Sequence, residues 1–232
     1  MNIVRTKIIA AVFGFILVFV LLLASILNVG LSQTIFKEVQ LKYDIADYAG
    51  CSQETLDYAT EQLIRYIRGE RDDLNIKGTV FNIETAIFNE KEIAHMVDVK
   101  NLFIIGQNIL YCCILVMILL FLFEITTNRE AFNYKFFKSV TITMIISLAL
   151  FLIIGAMAFL DFDSFWMGFH KVFFTNDLFL LDPNTDFLIR MMPLEFFISI
   201  VSRIGITFGI SYTVSIAAMT ISHYVLKGSK SK

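Results

Sequence analysis

Four stretches of this chain carry no charged side chain for longer than a lipid bilayer is thick. Lys7 to Lys37 encloses 29 uncharged residues, Lys100 to Glu124 encloses 23, Lys138 to Asp161 encloses 22, and Arg203 to Lys227 encloses 23. A helix needs about 20 residues to cross the ~30 Å hydrocarbon layer, where an ion is expensive. The first stretch is far longer than the ~7–15 apolar residues of a signal peptide and has no small-x-small cleavage site, so it reads as an uncleaved anchor. Hydrophobic residues make up 57% of the chain and charged residues 17%, with a mean hydropathy of +0.71. That is outside the range of soluble globular chains. The 24 phenylalanines exclude intrinsic disorder, and a net charge of −2 excludes a strongly basic nucleic-acid protein.

The segments between the stretches give an orientation. The N-terminal tail, residues 124–138 and the C-terminal tail hold eight basic and two acidic residues. Residues 37–100 hold eight basic and 13 acidic, and residues 161–203 three basic and six acidic. The positive-inside rule then predicts both termini and the 124–138 loop in the cytoplasm, with the other two loops outside. The expected organisation is a tail and first span over 1–36, an outer loop over 37–100, a second span over 101–123, and an inner loop over 124–138. A third span over 139–160, an outer loop over 161–193, a fourth span over 194–226 and a basic tail over 227–232 complete it. The fold class is an all-α integral membrane protein, with four transmembrane helices capped by two extracytoplasmic loop regions in the plasma membrane.

Residues 52–68 predict an amphipathic helix. Ser52 can cap it, Leu56, Ala59, Leu63 and Ile67 recur at helical spacing, Glu61 and Arg65 stand four apart, and Gly69 can end it. β-Branched and aromatic residues around Gly78 suggest a small hairpin within 74–89. From about Glu90 the pattern is helical and runs unbroken into the second span. Residues 164–174, SFWMGFHKVFF, have the composition of a segment lying in the headgroup zone. Asp182-Pro183-Asn184 signals a turn, and Pro193 can start the last helix. Cys51, Cys112 and Cys113 have no obvious partners, and no disulfide is expected.

Of three histidines, His223 reads as an interfacial side chain near the inner end of the last span. His95 and His170 are both predicted on the outer side, far apart in sequence. On a helix, Glu92 and Asp98 share a face with His95, and a carboxylate beside an imidazole orients it and raises its basicity. Two histidines at one lipid interface suit acid–base chemistry on a lipid or lipidated substrate. The plain alternative is that His95 pairs with Asp98 at a helix start while His170 anchors an amphipathic segment. A metal set of His95, Asp98, His170 and Glu92 lacks the HExxH type of spacing, and neither metal nor cofactor is expected. No GxSxG elbow supports a serine acyl-enzyme.

EIAHMVDVK before a span, and FHKVFF-TND-x₄-LDPNTDFLIRMMPLEFF before the last one, resemble the four-helix lipoprotein intramolecular transacylases of Gram-positive bacteria. The first motif carries His95, Asp98 and Lys100. The second carries His170, Asn176, Asp182, Pro183, Asp186 and Pro193, but has Leu178-Phe179 where a tryptophan is expected. The resemblance implies an acyltransferase that moves the sn-2 acyl chain of a diacylglyceryl-modified lipoprotein onto the α-amino group of its own N-terminal cysteine. The product is a lyso-form lipoprotein. The partners are such lipoproteins and the phospholipid bilayer, with no nucleic acid. His95 is expected as base and His170 as the group that polarises the ester, with Glu92, Asp98, Lys100, Trp166, Asn176, Asp182 and Arg190 binding substrate or supporting them. Ser164 and Cys51 are expected to matter much less. The alternatives are a membrane adaptor or transport subunit and, among enzymes, a lipid hydrolase.

Overall fold

In the computed structural model, described over residues 2–127 and 134–229, the elements follow the charge pattern closely. In chain order they are α1 (Asn2–Gly30), α2 (Gln33–Lys42), α3 (Ile45–Ala49), α4 (Gln53–Ile67), β1 (Lys77–Val80), β2 (Ile83–Ala86), α5 (Glu90–Thr127), α6 (Tyr134–Leu160), α7 (Phe162–Phe173), α8 (Phe187–Met191) and α9 (Leu194–Ser229). Helices α1, α5, α6 and α9 are long and apolar enough to cross a membrane. The protein is an all-α, multi-pass membrane protein. Arg129, Glu130, Lys230 and Lys232, which entered the charge bias, lie outside the described residues.

The chain divides into two compact units. The first comprises the described parts of Met1–Ser25, Asn108–Leu160 and Gly205–Lys232. Its core joins Ala10, Phe13 and Val18 of α1 to Phe136, Val140 and Met144 of α6 and Phe208 and Tyr212 of α9. Gly14 lets α1 approach α6, since a Cβ there would lie 3.0 Å from the Val140 carbonyl oxygen. Hydroxyls on the spans bond back to their own helices, as Thr141 does to Phe137 and Thr213 to Gly209. These hydroxyls are thereby not left as unpaired donors. Ile146, Leu152, Ile206 and Ile210 are exposed, as lipid-facing residues should be.

The second unit comprises Ile26–Gln107 and Asp161–Ile204. Its core gathers Phe36 and Val39 of α2, Ile45 and Ala49 of α3, Leu56 and Leu63 of α4, Met96 of α5, Met191 of α8 and Phe196 of α9. Gln40, fully buried, is satisfied by donating to the Met191 carbonyl (3.2 Å) and accepting from the Thr60 hydroxyl (3.0 Å). Ser52 caps α4 by accepting the Thr55 N–H, and Gly69, at φ 75°, closes it with paired bonds to Tyr66 and, through Glu70, to Arg65.

Three details differ from the sequence reading. The first uncharged stretch is two helices, because Ser32 accepts the Ile35 N–H and starts α2 two residues after α1 ends. The hairpin turns at Phe81-Asn82, both left-handed at φ 49° and 62°, while Gly78 sits inside β1. A Cβ at Gly78 would lie 2.8 Å from Ile87, so close packing explains that glycine. Arg65 turns to Glu70 (4.0 Å), five residues on, instead of back to Glu61.

Candidate functional site

The two histidines predicted on the outer side meet within the second unit. Helix α5 opens on a capping box, in which Asn89 Oδ1 accepts the Glu92 N–H (3.0 Å) and Glu92 Oε2 accepts the Asn89 N–H (2.7 Å). His95 follows one turn later, ahead of the uncharged residues 101–123. Helix α7 is capped by Asp161, whose carboxylate accepts the Ser164 N–H, and presents His170 two turns on. The two imidazole centres lie 6.1 Å apart with planes inclined at 33°. Both rings are buried.

Their environments differ. His170 Nδ1 lies 2.8 Å from the Trp166 carbonyl oxygen. A carbonyl only accepts, so Nδ1 carries the proton and Nε2 is left with the lone pair. His95 Nδ1 is buried without a hydrogen-bond partner. Burial pulls the His95 pKa down to about 4, neighbouring His170 pushes the same way, and Asp98 opposes both. Burial also lowers His170, against the effect of its bond to Trp166. Both rings are therefore neutral at pH 7. Aromatic rings wall them in: Phe174 lies 5.3 Å from His95 and 5.6 Å from His170, and Phe179 stacks on His170 at 4.9 Å. Where a tryptophan was expected near Asn176, Phe179 thus supplies an aromatic face without an indole N–H.

The remaining candidates divide. Asp98 accepts the Asn176 amide (2.9 Å), and Asn176 Oδ1 turns its own loop by accepting the Leu178 N–H. Trp166 touches His170 edge-on at 4.8 Å. Both Glu92 oxygens accept from backbone N–H groups, one from Asn89 and the other from buried Leu188, and burial raises its pKa against those bonds. Lys100 donates to the Arg71 carbonyl and lies over the Tyr66 ring. Asp182 builds the expected turn by accepting from Asn184, and Arg190 donates to the Pro183 carbonyl between Phe81 and Phe187. These last four hold the scaffold together.

The sequence reading overlooked Asn89 and gave Asp186 only a place in a motif. Buried Asp186 accepts from the Asn89 amide, the Thr185 hydroxyl and the Asp182 N–H, while Lys91 donates to the Leu180 carbonyl. A ladder of polar contacts therefore ties the start of α5 to the loop before α8. The Asn-x-x-Glu spacing at 89–92 was the available signal. Cys51 is free and its thiol is pushed up by burial, which suits it poorly as a nucleophile. Among the described residues no cluster of three or more His, Cys, Asp or Glu is arranged to hold a metal ion. The geometry offers two neutral imidazoles among aromatic rings, the lone pair of His170 on Nε2, so that one proton can be taken and one hydrogen bond given.

Comparison with known proteins bears on what reacts there. A family model described as lipoprotein intramolecular transacylase Lit matches residues 11–197. A solved structure of the membrane-integral lipoprotein intramolecular transacylase Lit from Bacillus cereus is 22% identical, with a TM-score of 0.75 over 98% of this chain and 99% of that one. Two variants of the same Bacillus cereus protein, with one histidine replaced by arginine or by alanine, give TM-scores of 0.74 and 0.73, again at 22% identity and over 98% of this chain. They are covered over 95% and 96% of their own lengths. A search of curated proteins found no match.

Proposed function

The chain belongs to the lipoprotein intramolecular transacylase family, and from that premise we propose that His170 and His95 carry an ester-to-amide transfer on a diacylglyceryl lipoprotein. Family membership sets aside the adaptor reading. The observation that carries the division of labour is the fixed tautomer of His170 beside His95, whose Nδ1 has no hydrogen-bond partner, with ring centres 6.1 Å apart. The sn-2 acyl carbon is attacked by the free α-amino nitrogen of the lipoprotein's N-terminal cysteine, whose pKa of ~7.7–8.0 leaves a usable neutral fraction near pH 7. His170 Nε2 accepts the proton that the attacking nitrogen sheds. The C=O π pair moves to oxygen, and an N–H of neutral His95 donates to that oxyanion. As the carbonyl re-forms, the C–O bond to glycerol breaks and His170 returns its proton to the leaving oxygen. The products are an amide and a free sn-2 hydroxyl, with no group left on the enzyme.

This reverses the division expected from sequence, and the reason is physical. Glu92 was to stabilise an imidazolium at His95, but it bonds to Leu188 and Asn89, and burial keeps His95 neutral. Asp98 supports the pocket by holding Asn176. Holding amine against ester in an attacking geometry supplies much of the rate, so little further machinery is needed. Mass spectrometry of a cellular lipoprotein's N-terminus tests the activity. The lyso form, N-acylated and S-monoacylglyceryl, should appear with this protein and disappear without it. Free fatty acid in its place would indicate hydrolysis instead.

The acidic loops 37–100 and 161–203 and the basic inner segments support an outward-facing site with both termini in the cytoplasm. In a chain freed of its native cysteines, Glu70→Cys and Asp177→Cys should react with an impermeant thiol reagent on intact cells, and Lys227→Cys should not. Labelling at 227 with protection at 70 and 177 would invert the orientation.

The depressed imidazoles also set a pH dependence of stability. An unfolded histidine takes up its proton near pH 6.5, whereas folded His95 does so at about 4. Between these values the unfolded chain binds more protons, so His95 destabilises the fold progressively as pH falls through that window. Thermal unfolding in detergent should show a melting temperature that drops from pH 7 to pH 4.5, and His95→Gln should flatten the drop. A slope unchanged by His95→Gln would show that His95 does not carry it.

A further inference from the structure

Helix α7 has a second regularity besides His170. Phe162, Trp166 and His170 stand at i, i+4 and i+8, so the imidazole is the last rung of a straight column of rings on one helix face. Phe162 and Trp166 are stacked 5.8 Å apart with planes inclined by 16°, and Trp166 meets His170 at 4.8 Å. Phe165 and Phe169 flank the column, at 6.1 Å from Phe162 and 5.3 Å from Trp166. Phe197 of α9 packs on the Trp166 ring at 4.4 Å and holds it in place. From the first rung to the last the column spans about 12 Å of helix. Phe162 is one residue past Asp161, which alone separates it from the end of the third span. Along the chain the column therefore begins next to the third span and ends at His170.

We propose that the Phe162–Trp166–His170 column is a binding rail for the fatty acyl chain being transferred, and that its length sets the preference for long over short chains. The proposal rests on the transacylase reading. It commits to the sn-2 chain because the carbonyl of that chain must sit at His170, and its methylenes continue from there along whatever apolar surface adjoins the ring. Here that surface is Trp166 and Phe169, then Phe162 and Phe165. A fixed aromatic wall replaces disordered lipid tails as the chain's neighbour without any polar group to satisfy. The rungs nearest His170 meet every acyl chain. Phe162 and Phe165, at the far end, meet only chains long enough to reach them.

The test uses the full-length enzyme in vesicles of defined phosphatidylcholine and phosphatidylglycerol, with synthetic diacylglyceryl lipopeptides that differ only in an sn-2 chain of 8, 12 or 16 carbons. N-acylated product is followed by mass spectrometry for wild type, Phe162→Ala and Phe162→Leu. The ratio of kcat/KM for the 16-carbon to the 8-carbon chain should fall about tenfold in Phe162→Ala, and Phe162→Leu should restore most of it. Equal loss at all chain lengths would make Phe162 a membrane anchor or a folding residue and overturn the rail, as would an unchanged ratio. Wild type giving no N-acylated product on any peptide would instead overturn the activity itself.

Discussion

His170→Gln should lower the rate of lyso-lipoprotein formation by about 10²–10⁴-fold while leaving a folded, membrane-inserted protein. That is the range lost when a positioned general base is removed. Glutamine can still place an amide N–H toward the Trp166 carbonyl, where the Nδ1–H now donates at 2.8 Å. It has no basic lone pair to take the amine's proton. His95→Gln is expected to behave differently. The pKa of about 4 makes His95 a neutral donor at pH 7, and a glutamine amide can give the same kind of hydrogen bond to an oxyanion. His95→Gln should keep activity within about tenfold of wild type, whereas His95→Ala, with no donor, should lose about 10²–10³-fold. Rates measured on one synthetic lipopeptide decide the matter. A collapsed His95→Gln beside an active His170→Gln would return the base to His95.

The four spans were legible because a charge in hydrocarbon is costly enough that its absence is an unambiguous signal. The end of α1 was less legible than the span itself, since Ser32 and Gln33 break the helix without adding a charge. Helices α2 and α3 escaped for the same reason: short segments joined at Asp44, φ 50°, leave only weak periodicity. In the site, the meeting of His95 and His170 could be anticipated from topology. The roles proposed for the two rings could not, because the tautomer of His170 depends on a backbone carbonyl and the neutrality of His95 depends on burial. Phe174 could not be picked out as a wall of the site among so many phenylalanines, whereas Phe179 stood out as the aromatic near the missing tryptophan. Lys100, expected from its motif to support the site, lies over Tyr66 and donates to the Arg71 carbonyl, contacts its place in the motif did not suggest.

Glu92 is where the sequence reading and the structure diverge most, and its substitutions should separate the two. Glu92 is almost completely buried and joins the capping box of α5 to the Leu188 N–H. Glu92→Ala leaves that buried donor unpaired, at about 1–3 kcal/mol, and removes a cap worth ~1 kcal/mol. The expected loss is about 2–4 kcal/mol, a large part of the stability of most folds, read as a lower midpoint in thermal unfolding. Glu92→Gln should cost about 1 kcal/mol, because its amide oxygen can still accept from Leu188 while exposed Asn89 finds water. Activity then distinguishes scaffold from chemistry. If Glu92 only holds α5 to the loop before α8, Glu92→Gln should retain most of the wild-type rate at a temperature where both proteins are folded. If its charge served His95, as the helical spacing suggested, Glu92→Gln should fail as badly as Glu92→Ala despite near-normal stability, because the amide keeps the shape of the carboxylate and loses only its charge.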